Sequence, residues 1–336
     1  HGGNFIGVGH FQIGSITVRI LSFHDVPIDA DFWQSRLKAA VAVREAIGVI
    51  RPEESVAATG ETVNTTYRLV HGEGDNLPGL IVDVYGKTCV LQAHSVGMHV
   101  ARYEIAAALH AVMGEKVDSI YYKSETTLPF KAELGQENGF IYGNTDNDIA
   151  IENGLKFHID WLKGQKTGFF IDQRENRSLL EHYAKGRSVL NMFCYTGGFS
   201  VYAMRGGAKL VHSVDSSAKA VELTNANIEL NFPGDNRHEA ICEDAFKYLD
   251  NNDGKYDLIV LDPPAFAKHR SALKNGRIFH VLQLYDHAVL LGIAYHAFYV
   301  DEPYPVVVFC EKPASEPFAR VFSEKDAQSE GLQGMF

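Results

Sequence analysis

Between Ser188 and Asp262 the chain repeats one unit: an apolar run, a loop holding glycine or aspartate, then a helical pattern. Val189 and Leu190 open the first run, which leads into Asn191-Met-Phe-Cys-Tyr-Thr-Gly-Gly198; Phe199, Tyr202 and Ala203 then fall at i, i+3, i+4 spacing. The second run, Leu210-Val-His-Ser-Val214, ends in Asp215, and helical spacing follows from Ala218 to Asn231. The third, His238–Cys242, ends in Glu243-Asp244-Ala245 before a helix through Leu249. The fourth, Tyr256–Leu261, ends in Asp262-Pro263-Pro264. Such alternation specifies a parallel, doubly wound α/β sheet covered on both faces, because parallel neighbours need a crossover long enough to hold a helix. Ligands of open α/β sheets bind at the carboxyl ends of the strands, where the Gly197-Gly198 loop, Asp215, Asp244 and Asp262 all fall. An acidic residue at the tip of the second strand is placed to accept from a ribose hydroxyl pair. The glycine spacing is not the dinucleotide fingerprint, so these features point to a nucleotide-type cofactor of another kind.

The rest of the chain reads as two smaller units. Residues 1 to about 26 are glycine-rich with short β-type runs, notably Ile16–Phe23. A helix over Asp29–Ile47 is capped by Asp29 and buries Phe32, Leu37, Ala40, Val41 and Val43, with Arg36, Lys38 and Arg44 on a solvated face. Strands at Leu80–Tyr85 and Cys89–Ala93 turn at Gly86-Lys87; a helix covers Val100–Met113. Further strands cover Ser119–Lys123, Gly139–Tyr142, Ile149–Glu152 and Leu155–Ile159, the last two turning at Asn153-Gly154. The organisation expected is a small β-domain with its linking helix (1–50), an α+β domain with one helix among antiparallel strands (64–162), and the α/β domain (163–336).

Charge and cysteine content narrow the class. The net charge of −11 provides no global footprint for nucleic acid, although a local basic face is enough for phosphate contacts. The four cysteines, Cys89, Cys194, Cys242 and Cys310, form no CxxC pair, which argues for a reducing compartment and against disulfides or a zinc site. No apolar run reaches the ~18 residues of a membrane span, and no signal peptide opens the chain. The expectation is a cytoplasmic protein with no metal and no membrane partner. A first residue other than Met leaves room for a lost N-terminus, and a homodimer is one option for its assembly.

The short glycine loop, Asp215 and Asp262-Pro-Pro-Ala-Phe266 together resemble the class I S-adenosylmethionine-dependent methyltransferases. Lys166-Thr-Gly-Phe-Phe-Ile-Asp-Gln-Arg174, Asn191-Met-Phe-Cys-Tyr-Thr-Gly-Gly-Phe199 and Asp262–Phe266 narrow the likeness to the ribosomal large-subunit methyltransferase I family of RNA cytosine-C5 methyltransferases. Tyr67-Arg-Leu-Val-His-Gly-Glu-Gly-Asp-Asn-Leu-Pro-Gly79 is similar to the start of that family's middle domain. The resemblance implies a PUA-like RNA-binding domain at the N-terminus, present only in part, and a Rossmann-like catalytic domain. It also implies S-adenosylmethionine as cofactor and large-subunit rRNA as partner. Gln173, Arg174, Asn191, Tyr195, Thr196, Gly197, Asp215, Ser216, Asp244, Ala245 and Asp262 are then the cofactor-binding residues, with Asp244 and the Ala245 N–H at the adenine. Pro263, Pro264 and Phe266 are the substrate contacts, Phe266 stacking on a base turned out of its helix.

Methylation at cytosine C5 requires a thiolate to add at C6, an acidic group near N3, and loss of the C5 proton. Asp262 suits the N3 position. The family carries its thiolate in a Ser-Cys-Ser after a strand and a Pro-Gly-Gly, and neither motif is present. The stretch from Pro264 to Phe336 is short for the rest of a doubly wound sheet, so residues are expected to be missing after Lys274-Asn-Gly276. Cys310, closing Val306-Val-Val-Phe309, is the candidate nucleophile by position; a buried core cysteine is its alternative, and Cys194 is a weaker candidate. Two other readings stand beside the C5 enzyme. One is a methyltransferase acting on an exocyclic base nitrogen, which needs no cysteine. The other is an RNA-binding protein with a degenerate methyltransferase domain.

Overall fold

A computed structural model describes residues 3–51, 64–128, 134–135, 137–251, 256–262, 289–293 and 308–311, the last two segments as backbone strands. The chain divides into two compact units, His1–Asp172 and Gln173–Phe336. Residues 163–172 fall within the first of these units.

In the first unit, β1 (Val8–Phe11) and β2 (Val18–Ser22) form an antiparallel hairpin. Helix α1 (Ala30–Ala46) follows, its Asp29 carboxylate accepting from the Phe32 N–H at 3.0 Å as an N-cap should. Phe32, Leu37 and Ala40 are buried as expected, joined by Trp33. Val43 is 50% exposed, so the buried stripe is narrower than the sequence suggested. Arg44 departs further from its solvated reading: it is buried, its Nη2 donates to Asp75 Oδ2 at 2.8 Å, and its Nε donates to the Arg68 carbonyl at 3.0 Å. One turn on from Ala40, Arg44 shares the core-facing side of the helix, and the carboxylate and carbonyl supply the partners that burial of a guanidinium requires.

Five strands make the central sheet: β3 (Thr66–His71), β4 (Leu80–Tyr85), β5 (Thr88–Ala93), β6 (Ser119–Tyr122) and β7 (Gly139–Tyr142), in that spatial order. The β5–β6 pair is parallel, not antiparallel, because α2 (Val96–Val100) and α3 (Arg102–Met113) carry the chain across between them. Two helices thus replace the one read from sequence. Leu69, Leu80, Val82, Leu91, Ile105, Leu109 and Ile120 form the core between sheet and helices. A separate hairpin of β8 (Ile149–Glu152) and β9 (Leu155–His158) turns at Asn153 (φ 49°) and Gly154 (φ 80°), the positive-φ pair of a two-residue turn.

The segment after β9 is pinned to the sheet. Asp83 on β4 is fully buried, held by Arg68 through Nε at 2.8 Å and Nη2 at 3.0 Å. Its Oδ2 also accepts from Thr167 Oγ1 at 2.6 Å, and Tyr85 meets the same hydroxyl at 2.8 Å. Phe169 packs on Phe157 with ring centroids 5.0 Å apart.

The second unit runs α4 (Arg174–Ala184), β10 (Ser188–Met192), α5 (Gly198–Arg205), β11 (Leu210–Asp215), α6 (Ala218–Asn231), β12 (His238–Cys242), α7 (Ala245–Asp250) and β13 (Leu258–Leu261). Strands β14 (Val289–Ile293) and β15 (Val308–Glu311) complete a sheet ordered β12-β11-β10-β13-β15-β14. Its first four strands are mutually parallel, as the alternation required. Strand β15 is antiparallel to both β13 and β14, so the far side of the sheet is mixed. Alternate residues of β10 face opposite layers: Leu190 and Met192 cluster with Ala245 and Leu249 of α7, while Asn191 donates to Ser200 of α5.

Candidate cofactor site

Reversal of strand order between β10 and β13 opens a crevice at the carboxyl edge of the sheet, the usual ligand position in such folds. The loop leaving β10 has an unusual backbone. Phe193 (φ 54°), Tyr195 (φ 48°) and Gly197 (φ 73°) are all left-handed, every second residue. For phenylalanine and tyrosine this conformation is costly and persists only when its surroundings enforce it. Three contacts do so. The Cys194 N–H donates to the Val214 carbonyl at 3.1 Å, the Tyr195 N–H to Asp215 Oδ2 at 3.0 Å, and the Gly197 N–H to the Cys194 carbonyl at 2.8 Å. Glycine is required at 197 on two counts: its φ is positive, and a Cβ there would approach Thr224 Cγ2 to 2.5 Å.

Asp215 ends β11 and ties the loop to the next helix. Besides Tyr195, it accepts from the Ser217 N–H at 2.9 Å, and Ser217 caps α6 by accepting from the Ala220 N–H at 3.3 Å. Each carboxylate oxygen retains a further lone-pair site, and Asp215 is half-exposed at the crevice edge. Ser216 beside it is exposed. On β12 the next strand end presents Asp244, exposed, whose Oδ1 accepts from the Lys247 N–H at 3.0 Å as the cap of α7; Ala245 is buried. Asp262 follows β13 directly and is half-buried.

The other sequence candidates are placed less uniformly. Asn191 and Thr196 are buried, the former donating to Ser200 Oγ at 2.9 Å and the latter accepting through its carbonyl from Asn227 Nδ2 at 2.8 Å. Gln173 is buried and accepts from Asn176 Nδ2 at 2.6 Å; Arg174 beside it is half-buried. Pro263, Pro264, Phe266 and the Lys274–Gly276 break lie outside the described residues. Cys310 lies within β15, opposite Ile259 of β13 and Leu290 of β14. That register sets it back from the strand edge where Asp262 begins. Cys194 is buried and its thiol is pushed up to about 12, which removes the thiolate that nucleophilic addition needs.

Several participants carry no motif. Thr224 donates to the Tyr195 carbonyl at 2.9 Å, and Arg177, also buried, lies so close to Gly198 that a Cβ there would meet its Cδ at 3.2 Å. Behind the loop a chain of hydrogen bonds crosses the sheet: Asn191 to Ser200, Ser200 to Ser213 at 2.6 Å, and Ser213 to His238 Nε2 at 2.8 Å. Burial, with a smaller contribution from His212, lowers His238 to about 4, so its imidazole is neutral near pH 7. Helical spacing of Thr224 with Asn227 was the one sequence signal available. Nothing distinguished it from an ordinary helix face.

A doubly wound sheet with a glycine loop and aspartates after its second and third strands at one edge has the Rossmann-like organisation of nucleotide-cofactor domains. The sequence profile of the S-adenosylmethionine-dependent methyltransferase family matches residues 140–303. A protein named ribosomal RNA large subunit methyltransferase I from Tolumonas auensis is 40% identical over 77% of this chain and 64% of its own length. The protein of that name from Shewanella denitrificans is 38% identical over 82% of this chain and 68% of its own. The one from Alteromonas mediterranea is 33% identical over 86% and 72%. The chain belongs to the ribosomal RNA large subunit methyltransferase I family, and it spans about 64% of the length of several of its relatives. A candidate methyltransferase crystallised with SAH shares the fold, with a TM-score of 0.71 at 21% identity over 91% of this chain and 88% of its own. So does an S-adenosylmethionine-dependent candidate from Streptococcus mutans, at 0.67 and 22% over the same shares.

The residues present fit S-adenosylmethionine. The Asp215 carboxylate has lone pairs for a diol, and the loop beside it carries no side-chain bulk at Gly197. Among the described residues no helix is long and apolar enough to cross a membrane, and no cluster of metal-binding side chains occurs.

Proposed function

We propose that this chain is an S-adenosylmethionine-dependent methyltransferase of large-subunit ribosomal RNA, and that its target is C5 of a cytosine. The observation that carries the reading is the arrival of the 193–197 loop, Asp215, Asp244 and Asp262 at one edge of a parallel sheet, in a chain of this family. When bound, the cofactor supplies an electrophilic methyl group on a sulfonium.

In this reading Asp215 accepts from the ribose hydroxyls while its bond to Tyr195 N–H keeps the loop in place. Asp244 is assigned to the adenine amino group and the Ala245 N–H to the adenine ring. Tyr195, Thr196 and Gly197 border the methionine moiety, Ser216 lies beside the ribose, and Gln173 with Arg174 closes the site from the start of α4. Asn191 contributes from behind through Ser200. Asp262 holds or moves the proton at cytosine N3, and Pro263, Pro264 and Phe266 receive the base. Cys310 is the cysteine proposed for C6; its strand register, back from the Asp262 edge, is the weakest fit in this assignment. The first unit, with its N-terminal hairpin read as part of a PUA-like domain, supplies the RNA contacts.

The test is transfer of labelled methyl from S-adenosylmethionine to large-subunit rRNA that lacks the modification, followed by nucleoside analysis. Labelled 5-methylcytidine is the expected product. An N-methylated nucleoside would move the chemistry to an exocyclic nitrogen. No transfer despite tight cofactor binding would leave an RNA-binding protein with a retained cofactor fold.

A further inference from the structure

We propose that Thr224 and Asn227 of α6 are positioning residues for the cofactor, holding the strained 193–197 loop in the conformation that admits it. The inference rests on the S-adenosylmethionine reading of the crevice and adds to it two residues that do not touch the ligand.

Thr224 and Asn227 lie three apart on α6, hence on one face of that helix, and both are fully buried. Each donates to a carbonyl of consecutive loop residues: Thr224 Oγ1 to Tyr195 O at 2.9 Å, Asn227 Nδ2 to Thr196 O at 2.8 Å. The same Thr224 hydroxyl lies 3.6 Å from Cys194 Sγ. On the opposite side, Asp215 takes the Tyr195 N–H at 3.0 Å. The Tyr195 peptide groups are thus gripped at both N–H and C=O, one from the end of β11 and the other from the second turn of α6. A residue held at φ 48° against its own preference requires such a grip. Thr224 also fills the space beside Gly197 so closely that no Cβ fits, which ties the identity of 197 to that of 224. Released from these two donors, Tyr195 relaxes toward ordinary φ, and the path of the 193–197 loop changes with it. The Tyr195 and Thr196 carbonyls also lose these partners.

The test measures S-adenosylmethionine and SAH affinity by titration calorimetry for the wild-type chain and for Thr224→Val, Thr224→Ser and Asn227→Ala. It also measures hydrogen exchange of amides 193–198 in cofactor-free protein. Thr224→Val and Asn227→Ala are expected to bind about tenfold more weakly and to exchange faster across 193–198, with exchange in the α6 interior unchanged. Thr224→Ser, which keeps the hydroxyl, is expected to restore both. If Thr224→Val fails to fold, Asn227→Ala against Asn227→Gln carries the same comparison. Wild-type affinity and exchange in Thr224→Val and Asn227→Ala would overturn the positioning role alone. A wild-type chain that binds neither ligand would overturn the cofactor reading and the positioning role together, whereas fast exchange in the variants would still show that α6 holds the loop.

Discussion

Gly197 concentrates the constraints of the cofactor loop in one position. Its φ of 73° and the 2.5 Å approach of a Cβ to Thr224 mean that Gly197→Ala meets both a conformational and a steric penalty. The expected cost is about 1–3 kcal/mol of stability, with loss of measurable cofactor binding; thermal unfolding with and without S-adenosylmethionine checks both. Stability unchanged with full ligand-induced stabilisation would show the loop to be free to adapt. Cys242 offers a second residue-level test. It is exposed and pairs in register with Asp215, the residue proposed for the ribose, whereas Cys89 and Cys194 are buried with thiols pushed up to about 12. Saturating cofactor should slow alkylation of Cys242 severalfold while Cys89 and Cys194 stay unreactive either way, as read by peptide mass spectrometry. Equal Cys242 rates with and without cofactor would place the ligand elsewhere.

At the scale of elements, helix α1 is tied down by a buried ion pair as well as by its apolar stripe of Phe32, Trp33, Leu37 and Ala40. Arg44 and Asp75 are both largely buried, and the bidentate contact joins the end of α1 to the turn after β3. Burial would raise the Asp75 carboxyl, but Arg44 and the His71 N–H together hold it below the ordinary carboxylate range. Removing one partner leaves the other charged and desolvated, so Arg44→Met is expected to cost about 3–5 kcal/mol, and Arg44→Met with Asp75→Leu considerably less. Trp33 sits on the same helix, so its fluorescence during urea unfolding reports the loss. A single-variant effect under 1 kcal/mol would show that the pair is solvated in practice. Element pairing also corrected the reading of the middle region. The β5–β6 pair is parallel because α2 and α3 intervene, and α2 begins at its own cap, Ser95, which accepts from the Met98 N–H. That short helix is below the length at which periodicity separates helix from loop.

For the molecule as a whole, the two units unfold with separate reporters. Both tryptophans, Trp33 and Trp161, lie in His1–Asp172, while Cys194 lies buried in the second unit. Labelling of Cys194 therefore follows the α/β unit, and indole fluorescence follows the other. His238 makes the α/β unit pH-dependent. In the fold its imidazole stays neutral down to about pH 4, mainly through burial and then through His212, whereas the unfolded chain takes up the proton near 6.5. The unfolded state binds more protons across that window, so stability is complete above about pH 6.5 and falls as pH drops toward 4. The loss expected is about 3 kcal/mol at most, seen as faster Cys194 labelling in urea at pH 4.5 than at pH 7. His238→Gln should flatten that dependence without altering the fluorescence transition of the first unit.

Much of this was legible in the order of residues. The helix Ala218–Asn231 and the strands Gly139–Tyr142, Ile149–Glu152 and His238–Cys242 have the bounds that period and punctuation predict, because each is a local pattern closed by a local signal. The four parallel strands and the acidic residues at their ends follow from the same alternation, and with them the crevice and the cofactor class. What the order of residues could not contain is which side chains meet across space. Arg44 read as a surface charge because Asp75 is 31 positions away; Thr224 and Asn227 read as a helix face because the carbonyls they hold belong to another element. The strand direction of β15 and the register of Cys310 likewise depend on pairing partners far along the chain. Sequence by itself determined the alternation, the glycine loop and the acidic strand ends, since these arise from neighbours within a few residues. Only the tertiary structure decided how that loop is held, because the contacts that keep Tyr195 left-handed come from Asp215 and Thr224, with Asn227 on the next carbonyl, all folded back from elements farther along the chain.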